Sequence, residues 1–266
     1  MFRKILVGYL EGDHGADALA LGRRLSLACK APLEVATAPG PEGRSLGQIV
    51  RAHGADLLVL GSTHRVGLGR VVPGATAEQV LGEAPCAVAV APDGFGRTDG
   101  GESRWRPLDG DDEDSGMRVI GVGFNGSTAS RHALEVATEL ALRNGASLRV
   151  YTVVRKFANL MPSEQSAKTP VAGSEVEAMR TLLNEAVREL PPEVRALPVF
   201  LRGFEADELV RAANLGVDLL LLGSRPGGPL RRHLHKSVSS AVLTAARCPL
   251  LIVPTGVAAP LTSAEK

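Results

Sequence analysis

The 266-residue sequence is poor in aromatic residues: one tryptophan, two tyrosines and six phenylalanines make up 3% of it. So sparse a set argues against a base-stacking platform for single-stranded nucleic acid. An excess of one charge is also lacking. Lys and Arg total 30 against 29 Asp and Glu, a net charge of +1, which gives no electrostatic case for DNA, RNA or an anionic membrane. Cysteine is scarce. Cys29, Cys86 and Cys248 form no C-x-x-C pair, and an odd, low count fits a reducing cytosol better than a disulfide framework. No hydrophobic run approaches the length needed to span a bilayer. The opening MFRKILVGYL has only a short apolar run before Glu11 and reads as a buried first strand, not a signal peptide. The expectation is a cytoplasmic chain with neither nucleic acid nor membrane as partner.

What the chain does contain is one unit written twice. APCAVAVAP (84–92) lies over ARCPLLIVP (246–254), and GADLLVLGS (54–62) over GVDLLLLGS (216–224), both at an offset of 162. Nearer the front, VGY (7–9) lies over VGF (122–124) and KAPLEVAT (30–37) over GASLRVYT (145–152), both at an offset of 115. The offsets differ by 47, so the second copy carries 47 residues, between about 153 and 200, that the first lacks. A period of domain size signals a duplicated domain, not a solenoid. The boundaries expected are a truncated domain over 1–92, an acidic, Gly-rich linker over 93–116, a full domain over 117–256 and a tail over 257–266. The linker holds DGDDED and the single tryptophan, Trp105. It has no periodicity and is expected to be mobile.

Within each copy, apolar runs alternate with helical periodicity. KILVGYL (4–10) has the continuous apolar pattern of a strand covered on both faces. Residues 14–29 carry Ala18, Leu21, Leu25 and Ala28 three or four apart, the stripe of a helix lying on a sheet. A strand at 33–37, helix at 44–53, strand at 56–60, Gly-rich loop at 61–74, helix at 75–83 and strand at 86–91 complete the unit. The second copy repeats it: strand 118–124, helix 127–143 with Ser127 as N-cap, strand 148–154, helix 174–190, strand 194–201, helix 205–214, strand 218–222, helix 237–246 and strand 249–253. This alternation predicts α/β, doubly wound parallel sheets. The missing helix–strand unit would sit at an edge and leave the first sheet four-stranded. The apolar last strands are expected to pair edge to edge about a pseudo-twofold axis.

The stretch LGSRPGGPLRRHLHKSVSSAV (222–242) takes a strand end through a basic Gly/Pro loop into a helix. Parallel sheets bind ligands in the crevice beyond their strand ends. A helix N-terminus offers free N–H groups and partial positive charge to a phosphate. Ser237 and Ser239 add hydroxyls there; Arg231, Arg232 and Lys236 add charge. A basic, flexible surface turn is the competing reading of the same loop.

On this loop, the GADLLVLGS-type strand and the apolar last strand, the chain resembles a tandem universal stress protein with two UspA-type, adenine nucleotide alpha-hydrolase-like domains. The family's loop pattern, G-x2-G-x9-G-[ST], falls on Gly223, Pro226, Lys236 and Ser237 in the second copy and on Gly61, His64, Gly74 and Ala75 in the first. Asn125 and Leu10 stand where nucleotide-binding members carry aspartate. The resemblance implies an adenine nucleotide, ATP or AMP, in the second copy. Asn125 would face the ribose and the Val153 backbone the adenine edge. Gly223 and Arg225 would lie beside ribose and phosphates, and Lys236, Ser237, Val238 and Ser239 would cradle the phosphates. The first copy, with Leu10 and Ala75, would serve as a structural partner.

Other chemistries fit less well. GVGFNG (121–126) satisfies G-x-G-x-x-G, but its first two glycines fall inside the strand and no acidic residue ends the next strand, so dinucleotide binding is not expected. His233 and His235 lack a Cys, Asp or Glu at ligand spacing. Ser62 and Ser224 have no recognisable His–Asp pairing. No catalytic or metal-ligating residue is therefore nominated. The expected function is a non-enzymatic stress-response protein that binds nucleotide. The alternatives are a nucleotide-free scaffold acting through protein partners and a slow ATPase; a homodimer is a further partner to be considered.

Overall fold

The computed structural model describes residues 1–9, 13–37, 43–62, 86–96, 115–155, 171–224 and 238–256. In chain order the elements are β1 (Ile5–Tyr9), α1 (Asp13–Cys29), β2 (Leu33–Thr37), α2 (Gly43–His53), β3 (Leu57–Gly61) and β4 (Ala87–Ala91). The second copy supplies β5 (Val119–Gly123), α3 (Thr128–Asn144), β6 (Ser147–Val154), α4 (Val171–Arg188), β7 (Ala196–Arg202), α5 (Glu205–Asn214), β8 (Leu219–Ser224), α6 (Val238–Ala245) and β9 (Leu250–Pro254). The helix expected at 75–83 lies outside the described residues.

The nine strands form one sheet in the order β2-β1-β3-β4-β9-β8-β5-β6-β7. Within each copy every neighbouring pair is parallel. At the centre β4 and β9 run antiparallel, with Val88 opposite Ile252, Ala89 opposite Leu251 and Val90 opposite Leu250. The order reads as the same unit outward from that seam in both directions. The second copy's additional strand, β7, is at an outer edge, so its absence from the first copy leaves the sheet centre intact.

Apolar runs buried on both faces explain the helical layers. Ile5, Val7, Leu57, Val59, Leu219, Leu221 and Leu251 belong to one core with Leu21 and Leu25 of α1 and Ala137 and Leu140 of α3. Leu6, Leu58, Leu220, Leu250 and Ile252 belong to a second core, with Val50 of α2, Leu209 of α5 and Val242 and Leu243 of α6. Successive strand residues point to opposite faces, so each strand feeds both cores.

The interdomain segment differs from the expected mobile linker at both of its ends. Buried Asp17 on α1 accepts from the N–H groups of Gly94 and Gly96 at 2.9 and 2.7 Å, and Phe95 is buried. At the other end Ser115 is buried, its carbonyl accepting from Arg24 Nη1 at 3.0 Å. The same Arg24 guanidinium lies 5.8 Å from the Phe95 ring centroid. One buried arginine thus anchors both ends of the segment, because a desolvated guanidinium needs acceptors and a ring face. Trp105 and DGDDED lie outside the described residues.

Candidate functional site

The conserved plan of the two copies first separates structural residues from site residues. Asp56 and Asp218 hold equivalent places in the GADLL and GVDLL strings. Asp56 accepts from the N–H groups of Arg3 and Lys4 at 2.9–3.0 Å. Asp218 accepts from Arg118 and Val119, both at 2.8 Å. Each carboxylate thereby ties the start of its strand to the start of the neighbouring one, and neither is near the strand ends where ligands enter. The cysteines are equally structural. All three are buried, and burial pushes the thiols of Cys29 and Cys86 up to about 12, so neither is a thiolate at neutral pH.

The cleft of the second copy opens beyond the carboxyl ends of β5, β6 and β8. Its volume is about 130 Å³, and its walls include Asn125, Val153, Gly223, Val238 and Ser239. Five sequence-nominated residues from four separate segments therefore meet in one cavity. Arg225, Lys236 and Ser237 lie outside the described residues, as do Leu10, His64, Gly74 and Ala75 of the first copy.

Each wall has a local cause. Ser127 caps α3, its Oγ accepting from Ser130 N–H, which is the standard satisfaction of a free first-turn donor. Asn125 precedes the cap, and its Oδ1 accepts from both the N–H and the Oγ–H of Ser127, at 3.2 and 2.7 Å. The Asn125 oxygen is thus engaged within the loop, and its Nδ2 donor remains to face a ligand. Gly223 is fixed by packing. A Cβ there would lie 2.0 Å from the Ala129 carbonyl oxygen, so β8 meets the first turn of α3 backbone to backbone. At the far wall the first turn of α6 presents Val238 and Ser239, and first-turn N–H groups have no partner within their own helix.

Val153 owes its interest to unequal strand lengths. β5 ends at Gly123 opposite Tyr151, while β6 continues to Val154. Phe124 N–H still reaches the Tyr151 carbonyl at 2.8 Å, but the Phe124 carbonyl accepts from Thr152 Oγ1 at 2.8 Å. Alternate residues of a parallel strand bond to the same side, so Val153 would be next after Tyr151 to pair with β5. Among the described residues, its N–H and C=O have no partner there.

The structure adds wall residues that sequence reasoning missed: Ser130, Tyr151, Leu209, Leu222 and Glu205. Burial pushes the Tyr151 phenol up, opposed by a hydrogen bond with Arg149, so it remains a neutral donor. Glu205, first residue of α5, pairs with Arg155 Nε at 2.9 Å. Nothing in local pattern distinguishes Glu205 from any acidic first-turn residue. Among the described residues, no group of three His, Cys, Asp or Glu is placed to hold a metal ion, no helix is long and apolar enough to cross a membrane, and no Lys, Arg or His lines the cleft.

Comparison with known proteins bears on this arrangement. No curated protein matches the chain. A putative universal stress protein from Pseudomonas aeruginosa UCBPP-PA14 is similar in structure, with a TM-score of 0.61 at 16% identity, over 95% of this chain and 93% of that one. A universal stress protein from Archaeoglobus fulgidus DSM 4304 aligns with a TM-score of 0.57 at 12% identity, over 94% and 96%. A universal stress protein in complex with cAMP aligns with half of the chain (52%) and 97% of its own length, at 21% identity and a TM-score of 0.41. At such identities the first two likenesses are of fold. The sequence pattern of the universal stress protein family, by contrast, matches residues 33–92 and 116–254, which takes in most of both copies and omits the interdomain segment. With that match over most of the chain and the doubled sheet, the chain belongs to the universal stress protein family.

Proposed function

We infer that the second-copy cleft binds an adenine nucleotide, ATP or AMP, and that the protein acts as a nucleotide-responsive stress protein without turning its ligand over. The observation that carries this reading is the convergence of Asn125, Val153, Gly223, Val238 and Ser239 on one cavity, with the Val153 backbone left unpaired toward it. A backbone N–H beside a C=O matches the acceptor and donor on the adenine edge. Hydroxyls and first-turn N–H groups at α3 and α6 suit ribose and phosphate. The nominated phosphate contacts are Arg225, Lys236 and Ser237, together with Val238 and Ser239 of the cleft wall.

Titration of the full chain with ATP and AMP by calorimetry tests this. The expected result is saturable binding with a Kd on the order of micromolar. Asn125→Leu, which installs the first copy's residue, is expected to weaken it by about tenfold. No heat and no thermal shift at millimolar ATP would overturn the reading. One observation favours the nucleotide-free scaffold instead: the Asn125 oxygen is already satisfied by Ser127, as in a loop that needs no ligand. The same titration decides between the two.

A further inference from the structure

Glu205 is a wall of the cleft that the ribose, phosphate and Val153 contacts leave without a task. Its side chain is 32% exposed, and Oε1 accepts from Arg155 Nε at 2.9 Å. Among the described residues Oε2 has no hydrogen-bond partner. The backbone fixes where along the cleft it stands. The Val154 carbonyl accepts from Gly203 N–H at 3.0 Å, so α5 begins against the end of β6, one residue beyond Val153. The carboxylate therefore belongs to the Val153 end of the cavity, while the hydroxyls of Ser127 and Ser239 belong to the helix N-termini.

A carboxylate only accepts. It rewards an N–H and repels a carbonyl oxygen. The 6-amino group of adenine carries two N–H donors, one for a strand carbonyl such as that of Val153 and one for a carboxylate. A 6-oxopurine has an oxygen in that place. Arg155 is 69% exposed, so solvent screens its attraction and its main effect is to orient the carboxylate.

We propose that Glu205 is a specificity-determining residue of the cleft, accepting a hydrogen bond from the exocyclic amino group of an adenine and adding to the discrimination against a 6-oxopurine that the Val153 backbone supplies, with Arg155 as its positioning residue. This rests on the nucleotide reading of the same cleft. The test compares AMP with IMP by calorimetric titration of the full chain. The native protein prefers AMP by about tenfold or more, the value of one charge-assisted hydrogen bond. In Glu205→Gln the amide rotates to accept from AMP or donate to IMP, and the preference narrows about fivefold or more from its native value, mainly through tighter IMP binding, while the Val153 backbone keeps the remainder. Arg155→Met narrows it as well. If the glutamine variant melts early, Glu205→Ala asks the same question: a preference several-fold narrower than the native one supports the assignment, and an undiminished preference overturns it. Equal binding of AMP and IMP by the native protein overturns it too. An unchanged preference in Glu205→Gln overturns the role of Glu205 and leaves nucleotide binding standing. Failure of the native protein to bind either compound overturns both.

Discussion

Lys30 and Gly145 occupy equivalent places, each just past the end of the first helix of its copy, and both adopt left-handed backbone, with φ of 52° and 60°. Glycine enters this region without penalty, whereas a residue with a Cβ loses roughly 1–2 kcal/mol there. A Cβ on Gly145 would meet nothing within 4 Å, so conformation alone decides the comparison. Lys30→Gly is expected to stabilise the protein by about 1 kcal/mol, after allowing for the greater freedom of unfolded glycine. Gly145→Ala is expected to destabilise it by a similar amount, both measured as shifts in urea midpoint. Gly223 is a glycine for a different reason. It is the first glycine of the family's nucleotide loop, and here its missing side chain is what lets β8 touch α3. The letter was visible in the sequence. The carbonyl it must avoid was not, because Ala129 is 94 residues away in the chain.

Strand starts are set by the paired aspartates. Asp218 joins β8 to the start of β5 through two backbone donors, as Asp56 joins β3 to the segment entering β1. Removing such an acceptor leaves part-buried N–H groups unsatisfied, at about 1–3 kcal/mol. Asp218→Ala should therefore lower the unfolding free energy by that amount, while Asp218→Asn, which keeps one acceptor oxygen, should lose less. Equal losses in a denaturation series would refute the acceptor role. The described helices are legible from their apolar spacing, and their ends fall within a few residues of expectation. Docking of the interdomain ends was not legible. Gly94, Phe95, Gly96 and Ser115 read as turn composition, and only contact with Asp17 and Arg24 orders them.

Across the whole molecule, each face of the sheet carries one core that passes through the β4–β9 seam. The seam is also bridged away from the sheet, where Asn144 Nδ2 and Arg143 Nη1 donate to the carbonyls of Ala28 and Cys29 at the end of α1. A truncated copy with four strands gains cover from such a partner. The two copies should consequently unfold together. Calorimetry should show one transition whose calorimetric and van't Hoff enthalpies agree. Two resolved transitions would show that the seam does not couple the halves.

The duplication, the strand–helix alternation, the edge position of the missing unit and the residues to examine as a site are all written in the order of residues. They follow from local periodicity and from the chain's likeness to itself. Folding alone spends the Asn125 oxygen on Ser127, leaves the Val153 backbone open beside the shorter β5, and brings Glu205 into the cleft. Those facts depend on where strands stop relative to one another and on which distant segments share a wall. Such three-dimensional juxtapositions leave no periodic trace in the order of residues.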